Sequence, residues 1–441
     1  MARIDKKFDK TLDKSRRAAF ELLMNVDLDG AYANLEMPRL IERFKLVGRD
    51  AAFATELGYG TLRMRGLYDA YISEAADRPL AKIDLKVLNV LRLGLHQILT
   101  LNTPPHAATS ETVDLGRAVA GVSTAGFINA IMRKVPDIQL EFSNMSEIET
   151  LAIKYSHPTW IVQSFHDLLG DLNEVEDLLK ADNSPSRPDY VAWPGKSTLE
   201  ELDGVRIQGT SFGVMSERTP REIPAIMERR AGVQDRGSQV VAEIFLKTGT
   251  NAQESWLDLC AGPGGKAAFL YNNLQQFSPE DTFLANEISE HRADLVRAVI
   301  PTQFVHVGPG EEIEGAYDRI LIDAPCTGLG ALRRRPEARW RKSLDDLKEL
   351  VKLQKSLLDA GAEHLHGGGV IGYVTCSPHV AETRLQVADF LHRHKEFSLL
   401  NVAPYVPQEF QDQILPNGTL QLWPHKNQSD AMFLALLKKS L

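Results

Sequence analysis

The stretch SWLDLCAGPGGKAAFL, residues 255–270, decides the fold. SWLDLC is an apolar run of strand length, and GKAAFLYNNLQQF after it is helical in pattern. Between them lie small residues that let backbone approach a ligand closely, with the free amides of the helix start facing it. Working downstream, TFLANE (282–287), QFVHV (303–307), YDRILID (317–323) and VIGYVT (370–375) read as further strands. Helical stretches such as SEHRADLVRAVI and SLDDLKELVKLQKSLLDAGAEHL separate them. Short apolar runs alternating with amphipathic helices predict a doubly wound, Rossmann-like α/β domain over residues 236–441. FSLLNV and DAMFLALLKK are placed at the sheet's far edge. Ligands of such a sheet bind at the carboxyl ends of its strands.

Upstream the pattern differs. Residues 15 to about 135 carry apolar residues at helical spacing, as in RRAAFELLMNV and LKVLNVLRLGLHQIL, so 1–138 is expected to be an all-α bundle. Residues 139–235 mix a helix, YSHPTWIVQSFHDLLG, with short strands in DYVAWPG and GVRIQGTSFGV, and read as a small α+β subdomain. A multidomain chain suits the length, since 441 residues correspond to roughly three domains.

Composition narrows the class. Hydrophobic residues are 43% and charged residues 25%, the balance of a globular protein. No apolar run is long enough to cross a membrane, and MARIDKKFDKTLDKSRR is unlike a signal peptide, so a cytoplasmic location is expected. The three cysteines, Cys260, Cys326 and Cys376, fit neither a disulfide framework nor zinc-site spacing, and no metal is expected. The net charge of -9 does not favour nucleic acid, but phosphate affinity follows local cation clusters. One is Lys6, Lys7, Lys10, Lys14, Arg16 and Arg17, which reads best as a solvated face. The other is Arg333, Arg334, Arg335, Arg339, Arg341 and Lys342 around Trp340, where RNA contact is favoured.

In the cofactor loop, Gly262, Gly264 and Ala267 satisfy G-x-G-x-x-G/A, so NAD or FAD is an alternative ligand. A P-loop fails because Ala267 follows Lys266 and Cys260 occupies the first glycine position. Glu287, at the tip of the second strand, is placed to bind ribose hydroxyls of either a nicotinamide cofactor or S-adenosylmethionine.

The other strand ends separate those readings. YDRILIDAPCTG ends in Asp323 and Cys326, and VIGYVTCSP in Cys376. Adjacent parallel strands about 4.8 Å apart would bring an acid and two thiols into one crevice. Methylating carbon 5 of cytosine needs such a set, because that carbon is a poor nucleophile. A thiolate adds to carbon 6 while an acid serves N3, giving an enamine whose carbon 5 attacks a methyl sulfonium. A base then removes the carbon-5 proton and the thiol is eliminated. Chemistry alone leaves open which thiol is the nucleophile.

The chain resembles the RsmB/Sun family of ribosomal RNA cytosine-C5 methyltransferases over nearly its whole length. The resemblance is carried by GVQDRGSQVVA, LDLCAGPGGKA, LIDAPCTGLGALRRRPEARWR, LQKSLLDAGAEHLHGGG and YVTCSP, and in the N-terminal region by the NusB-like RDAAFATELGYGTLRMRGLYD and LNVLRLGLHQILTL. It implies a NusB-like RNA-binding domain, a linking subdomain and a class I methyltransferase domain. It implies that Cys376 is the nucleophile, that Cys326 aids product release and that Asp323 contacts the base. It further implies an S-adenosylmethionine pocket of Cys260, Ala261, Gly262, Pro263, Gly264, Gly265, Lys266, Glu287, Arg292 and Asp323. The implied substrate is a cytosine of 16S ribosomal RNA, extruded into the pocket. A monomer without an obligate protein partner is expected.

Some positions depart from the family pattern. Glu287 replaces the usual Asp, and Gly308 and Gly310 stand where an Asp would hold the adenine, with Glu311 or Glu312 as possible substitutes. Thr383 follows Glu382 where Asn is common, and Ala431 replaces Gly. Two competing readings remain: a nicotinamide-linked oxidoreductase, resting on the glycine loop and Glu287, and a non-enzymatic RNA-binding antitermination factor, resting on the helical region.

Overall fold

The computed structural model describes residues 12–250 and 253–441. Lys6, Lys7 and Lys10 of the N-terminal basic cluster lie outside them. The chain divides into two compact units: 1–184 with 334–341, and 185–333 with 342–441. The division at Ser184/Pro185 falls inside the stretch 139–235 that the sequence groups as one subdomain. Helices of residues 147–182 fall in the first unit, and the strands and a short helix at 224–227 in the second.

The first unit is helical: α1 (Lys14–Leu28), α2 (Ala33–Phe44), α3 (Gly48–Arg63), α4 (Arg65–Ala75), α5 (Leu85–Leu99), α6 (Pro105–Ala120), α7 (Ala125–Lys134), α8 (Glu147–Lys154), α9 (Thr159–Leu169) and α10 (Leu172–Asp182). Side-chain caps begin several of them. The Asp13 carboxylate accepts from Arg16 N at 2.7 Å, Asp84 from Lys86 N at 2.9 Å, and Ser146 and Glu149 form a capping box. LKVLNVLRLGLHQIL is apolar nearly all round, which suits a central helix, and Val87 through Gln97 of α5 are all buried. Most of its polar atoms find partners within the unit, His96 Nε2 being an exception. Arg92 forks onto Asp69 through two bonds of 2.7 Å, and His96 Nδ1 meets the Tyr68 hydroxyl at 2.8 Å.

The segment 334–341 belongs to this unit although the residues on either side of it belong to the other. Arg339 is fully buried. It donates to the carbonyls of Ser156 at 3.1 Å, Arg63 at 3.3 Å and Asp182 at 3.4 Å, and to Asn183 Oδ1 at 2.9 Å. Burial lowers its pKa to about 10, which leaves it charged at neutral pH. Arg339 is therefore a structural cation, and the expectation that it faces RNA is corrected.

The second unit contains two sheets. The smaller is antiparallel, with β1 (Asp189–Ala192), β2 (Val205–Arg206), β3 (Gly213–Met215) and β4 (Ala231–Val233) in the order β2-β3-β1-β4. A short α11 (Pro224–Met227) precedes β4, and α12 (Arg236–Leu246) follows it. The larger sheet comprises β5 (Ser255–Asp258), β6 (Thr282–Glu287), β7 (Val305–Val307), β8 (Tyr317–Asp323), β9 (Leu365–Thr375), β10 (Phe397–Leu400), β11 (Leu420–Gln421) and β12 (Phe433–Lys439). Its order is β10-β12-β9-β8-β5-β6-β7, with β11 pairing β12. Strands β5 to β9 run parallel, and β12 and β10 close one edge antiparallel. Helices α13 (Gly265–Phe277), α14 (Glu290–Arg297), α15 (Leu344–Glu363) and α16 (Arg384–Arg393) complete the Rossmann-like architecture. Two apolar clusters fill it, one including Phe245, Trp256, Phe269 and Leu434, the other Ile320, Ile322, Ile371 and Tyr373. No helix among the described residues is long and apolar enough to cross a membrane.

Replacing Arg339 by Ala leaves the carbonyls it bridges without their donor inside the helical unit. A loss of about 3–5 kcal/mol of unfolding free energy is expected, with Lys failing to restore it because a point charge cannot fork to four acceptors. Chemical denaturation of both variants checks this; wild-type stability in either would refute the structural role.

Candidate active site

Register brings the two reactive loops together. Strands β8 and β9 pair in parallel with Asp323 opposite Val374, so the chain turns out of both at the same level. Cys326 and Cys376 follow within a few residues, and their Sγ atoms lie 3.4 Å apart. Glycine makes the approach possible: Gly330 N donates to the Cys376 carbonyl at 2.9 Å. A Cβ on Gly330 would stand 2.4 Å from the Ala431 carbonyl oxygen and 2.8 Å from that of Cys376.

The two thiols are not equivalent. Hydrogen bonding from Cys326 holds the Cys376 pKa below the ordinary thiol value, assisted by the Lys266 charge, while burial opposes it. The same bond, burial, the Cys376 charge and then Glu382 push the Cys326 thiol well up. The pair is polarised: Cys376 is the more readily ionised thiol and Cys326 the one held protonated beside it.

Behind Cys326 sits a carboxylate that sequence reasoning passed over. Glu382 is fully buried. It accepts from Thr327 N at 2.7 Å, from the Thr327 hydroxyl, and from Gln354 Nε2 at 3.1 Å. Gln354, on α15, also donates to the Pro325 carbonyl at 2.9 Å. Thr327 Oγ1 meets Ser377 Oγ at 3.1 Å, so the residues following the two cysteines are linked as well. The Tyr373 hydroxyl donates to the Glu382 carbonyl at 2.8 Å. The Glu within SPHVAET was the available signal.

The glycine loop lies at the end of the neighbouring β5. Gly264 initiates α13 with φ +110°, where a Cβ would stand 2.9 Å from Val299. Ala261 N donates to the Asn286 carbonyl at 2.8 Å, tying the loop to β6. Glu287 accepts from Gly262 N through one oxygen and from Ser289 N through the other, each at 3.0 Å. Arg292 approaches Glu287 at 3.3 Å and donates to the Gly262 carbonyl. Lys266 Nζ lies 2.8 Å from Asp323 Oδ2, joining the glycine loop to the DAPC loop. Burial disfavours the charged Lys266, but the Asp323 carboxylate outweighs it and the pKa rises. Pro263 and Gly265 complete the turn, with Gly262-Pro263 cis. Beyond β7, Glu311 and Glu312 are both exposed, and Gly308 N donates to the Glu287 carbonyl at 3.3 Å.

Acid dominates this pocket. Asp258 is fully buried, and neither carboxylate oxygen accepts a well-formed hydrogen bond. Burial, then the charge of Asp323, raises its pKa to about 8, with Lys266 partly offsetting them. Burial and the charges of Asp258, Asp323 and Glu287 also drive the Cys260 thiol up. S-Adenosylmethionine carries a sulfonium and an ammonium, and a pocket with two carboxylates, Asp323 and Glu287, and the orphaned buried acid Asp258 suits that charge.

The cation cluster after the DAPC loop is divided. Arg333 donates to the Gln428 carbonyl at 2.8 Å and lies 3.7 Å from Asp235, with its side chain 13% exposed. Asp235 in turn accepts from Gly237 N and Asp430 N, each at 2.9 Å. The expectation that Arg333 is a free phosphate contact is therefore corrected.

Fold and pocket define a Rossmann-like methyltransferase preceded by a helical domain, and S-adenosylmethionine is its cofactor. The chain belongs to the 16S rRNA methyltransferase RsmB/F family: that family's model matches residues 245–438, and the NusB family's matches 13–137. A "Putative methyltransferase" of Mycobacterium tuberculosis is 42% identical over 98% of this chain and 97% of its own length. The "Ribosomal RNA small subunit methyltransferase B" of Escherichia coli is 29% identical over 90% of this chain and 92% of its own. Among solved structures, that of PH0851 superposes with a TM-score of 0.81 at 22% identity, covering 97% of this chain and 99% of that one. NSun6 from Pyrococcus horikoshii with SFG superposes at 0.53 and 17% identity, covering 64% and 98%.

Two outcomes follow from the buried acids. Asp258 binds its proton in the folded state up to about pH 8 but releases it near 4 when unfolded, so wild-type stability falls as pH rises between those values. Asp258→Asn should remove that slope and gain stability relative to wild type at pH 8 compared with pH 5. Parallel slopes in urea titrations of the cofactor-free proteins would refute it. Glu382→Gln, made in a Cys376→Ser background, should move the alkylation midpoint of Cys326 to lower pH, because a nearby negative charge is gone. An unmoved midpoint would show that Glu382 does not act on that thiol.

Proposed function

We propose that this protein methylates carbon 5 of a cytosine in small-subunit ribosomal RNA through a covalent bond between Cys376 and carbon 6. The observation that carries the reading is the 3.4 Å thiol pair, with its acidity divided in favour of Cys376. One thiolate and one thiol at the ends of adjacent strands answer the two demands of this chemistry, addition and release. The RsmB/F family match and the rRNA methyltransferase relatives support the substrate class.

The steps balance as follows. The Cys376 thiolate gives its electron pair to carbon 6, and N3 takes a proton held at the Asp323–Lys266 pair, leaving carbon 5 electron-rich. S-Adenosylmethionine supplies an electrophilic methyl group, and Cys260 to Lys266, Glu287 and Arg292 line the cofactor's place. When Cys376 becomes a thioether, the two influences it exerts on Cys326, its hydrogen bond and its charge, disappear together. Cys326 then becomes more acidic, releases its thiol proton to solvent, and as thiolate serves as the base that takes the carbon-5 proton. The pair from that C–H bond forms the C5–C6 double bond and expels Cys376 as thiolate, while N3 returns its proton.

Cys376→Ala should reduce methylation of rRNA by at least about 10³-fold. Cys326→Ala should still add to the base but fail to release it, giving a slow protein–RNA band on a denaturing gel. Trapping by Cys376→Ala instead would reverse the two roles. The rate should fall as pH drops through a Cys376 pKa below the ordinary thiol value, read from single-turnover rates between pH 5 and 9.

A further inference from the structure

Within the helical unit, an exposed aromatic ring carries cations that form no ion pair among the described residues. Tyr32 ends the turn before α2 and is 51% exposed, between Leu28 at 65% and Leu35 at 57%. The guanidinium carbons of Arg335 and Arg341 stand 5.3 Å and 5.7 Å from its ring centroid. Arg335 is exposed and, among the described residues, forms no ion pair. Arg341 donates to the carbonyls of Val26 at 3.0 Å and Ala31 at 2.5 Å, which fixes the turn while leaving its charge uncompensated. Glu337 accepts from Ala33 N at 3.1 Å and caps α2, whose N-cap residue Tyr32 makes no side-chain cap of its own.

The acids of this turn are largely occupied. Asp27 is engaged by Arg65 and Asn89 at 2.9 Å each, and Glu36 by Asn25 at 2.8 Å, leaving Asp29 exposed. What remains is a half-exposed ring with two guanidinium groups over it, flanked by exposed leucines. Single-stranded nucleic acid is recognised by this combination: a base stacks on the ring or on a guanidinium plane, and the adjoining phosphate meets the arginine. A duplex, whose bases are already stacked, cannot use the ring.

We propose that Tyr32, Arg335 and Arg341 form a stacking site for an unpaired nucleotide of the RNA substrate, separate from the methyl-transfer residues yet tied to them in the chain. Arg335 follows Cys326 by nine residues, a tether of at most about 30 Å whatever the arrangement of the two units. The inference rests on the rRNA methyltransferase reading and adds to it a second point of grip on the single strand. Such a grip contributes to binding and not to chemistry, so it should appear in KM for RNA alone.

The test is steady-state methylation of a 16S rRNA transcript by full-length wild type, Tyr32→Ala, Tyr32→Trp and Arg335→Gln. Tyr32→Ala should raise KM for RNA about tenfold, the weight of one lost stack, with kcat and KM for S-adenosylmethionine unchanged. Tyr32→Trp should retain wild-type KM. Arg335→Gln, at an exposed position that does not threaten folding, should lower the salt slope of log KM by about one unit. Single-stranded oligouridylate should compete against wild type more strongly than against Tyr32→Ala, whereas duplex RNA should compete equally with both. Wild-type KM and salt slope in Tyr32→Ala and Arg335→Gln would overturn the stacking site while leaving the methyltransferase reading intact. Failure of the wild type to methylate rRNA would overturn that reading itself.

Discussion

Everything at this site depends on the parallel register of β8 and β9. Side chains alternate between the faces of a strand, so a slip of one residue would turn Asp323 and Thr375 to the opposite face and separate the cysteines that follow. The register is held from both sides: by the fully buried Ile320, Leu321 and Ile322 on β8 and Ile371, Tyr373 and Val374 on β9, and by a polar knot beyond the strand ends. Glu382 gathers Thr327 and Gln354, and Thr327 reaches Ser377, so each cysteine's successor is fastened to the other's. This knot costs a buried carboxylate. It returns a fixed thiol pair and a negative charge placed behind one thiol but not the other. The asymmetry between Cys326 and Cys376 originates first in the hydrogen bond between them, and the charges of Glu382 and Lys266 add to it.

The same charges explain how a chain of net charge -9 serves an RNA substrate. Several acids face inward, toward a cationic cofactor, and several arginines are consumed as structure. Arg92 binds Asp69, Arg319 binds Glu254 at 2.7 Å, Arg236 forks onto Asp189 at 2.9 Å, and Arg339 is wholly enclosed. Charge counted along the chain therefore says little about the field an RNA strand would meet. RRRPEARWRK reads as one basic patch, yet Arg333 and Arg339 are pinned by neighbouring carbonyls while Arg335 stays at the surface.

Much of this was legible in the sequence where chemistry restricts the choice of residue. The glycine loop, Asp323, the two cysteines and the strands that carry them could be read because a tight turn or a strand end leaves a local signature. Asp258 could not, since a single acid at a strand end has no pattern of its own, and the Glu of SPHVAET marked Glu382 without giving it a role. Their significance comes from burial, which only the folded chain reveals. The boundary near residue 184 escaped for a related reason: α8 to α10 are amphipathic helices, and the pattern does not say which unit receives their apolar faces. The strands that follow them in sequence belong to a different core.

Glu287 illustrates how a departure from a family pattern is absorbed. A carboxylate at this strand tip must be held firmly if it is to orient a ribose. With an Asp the side chain would be one methylene shorter; with Glu both oxygens reach backbone amides, Gly262 N across the loop and Ser289 N at its own strand end. The reach has a cost at the other partner. A Cβ at Gly262 would stand 2.2 Å from Glu287 Oε2 and 2.8 Å from Arg292 Nε, so the longer acid requires a residue without a side chain opposite it. Arg292 then neutralises the carboxylate from the exposed side while bonding the Gly262 carbonyl. Glycine, glutamate and arginine thus form one interlocked unit, and the substitution is tolerated because the loop and the strand tip adjust to each other rather than to the cofactor alone.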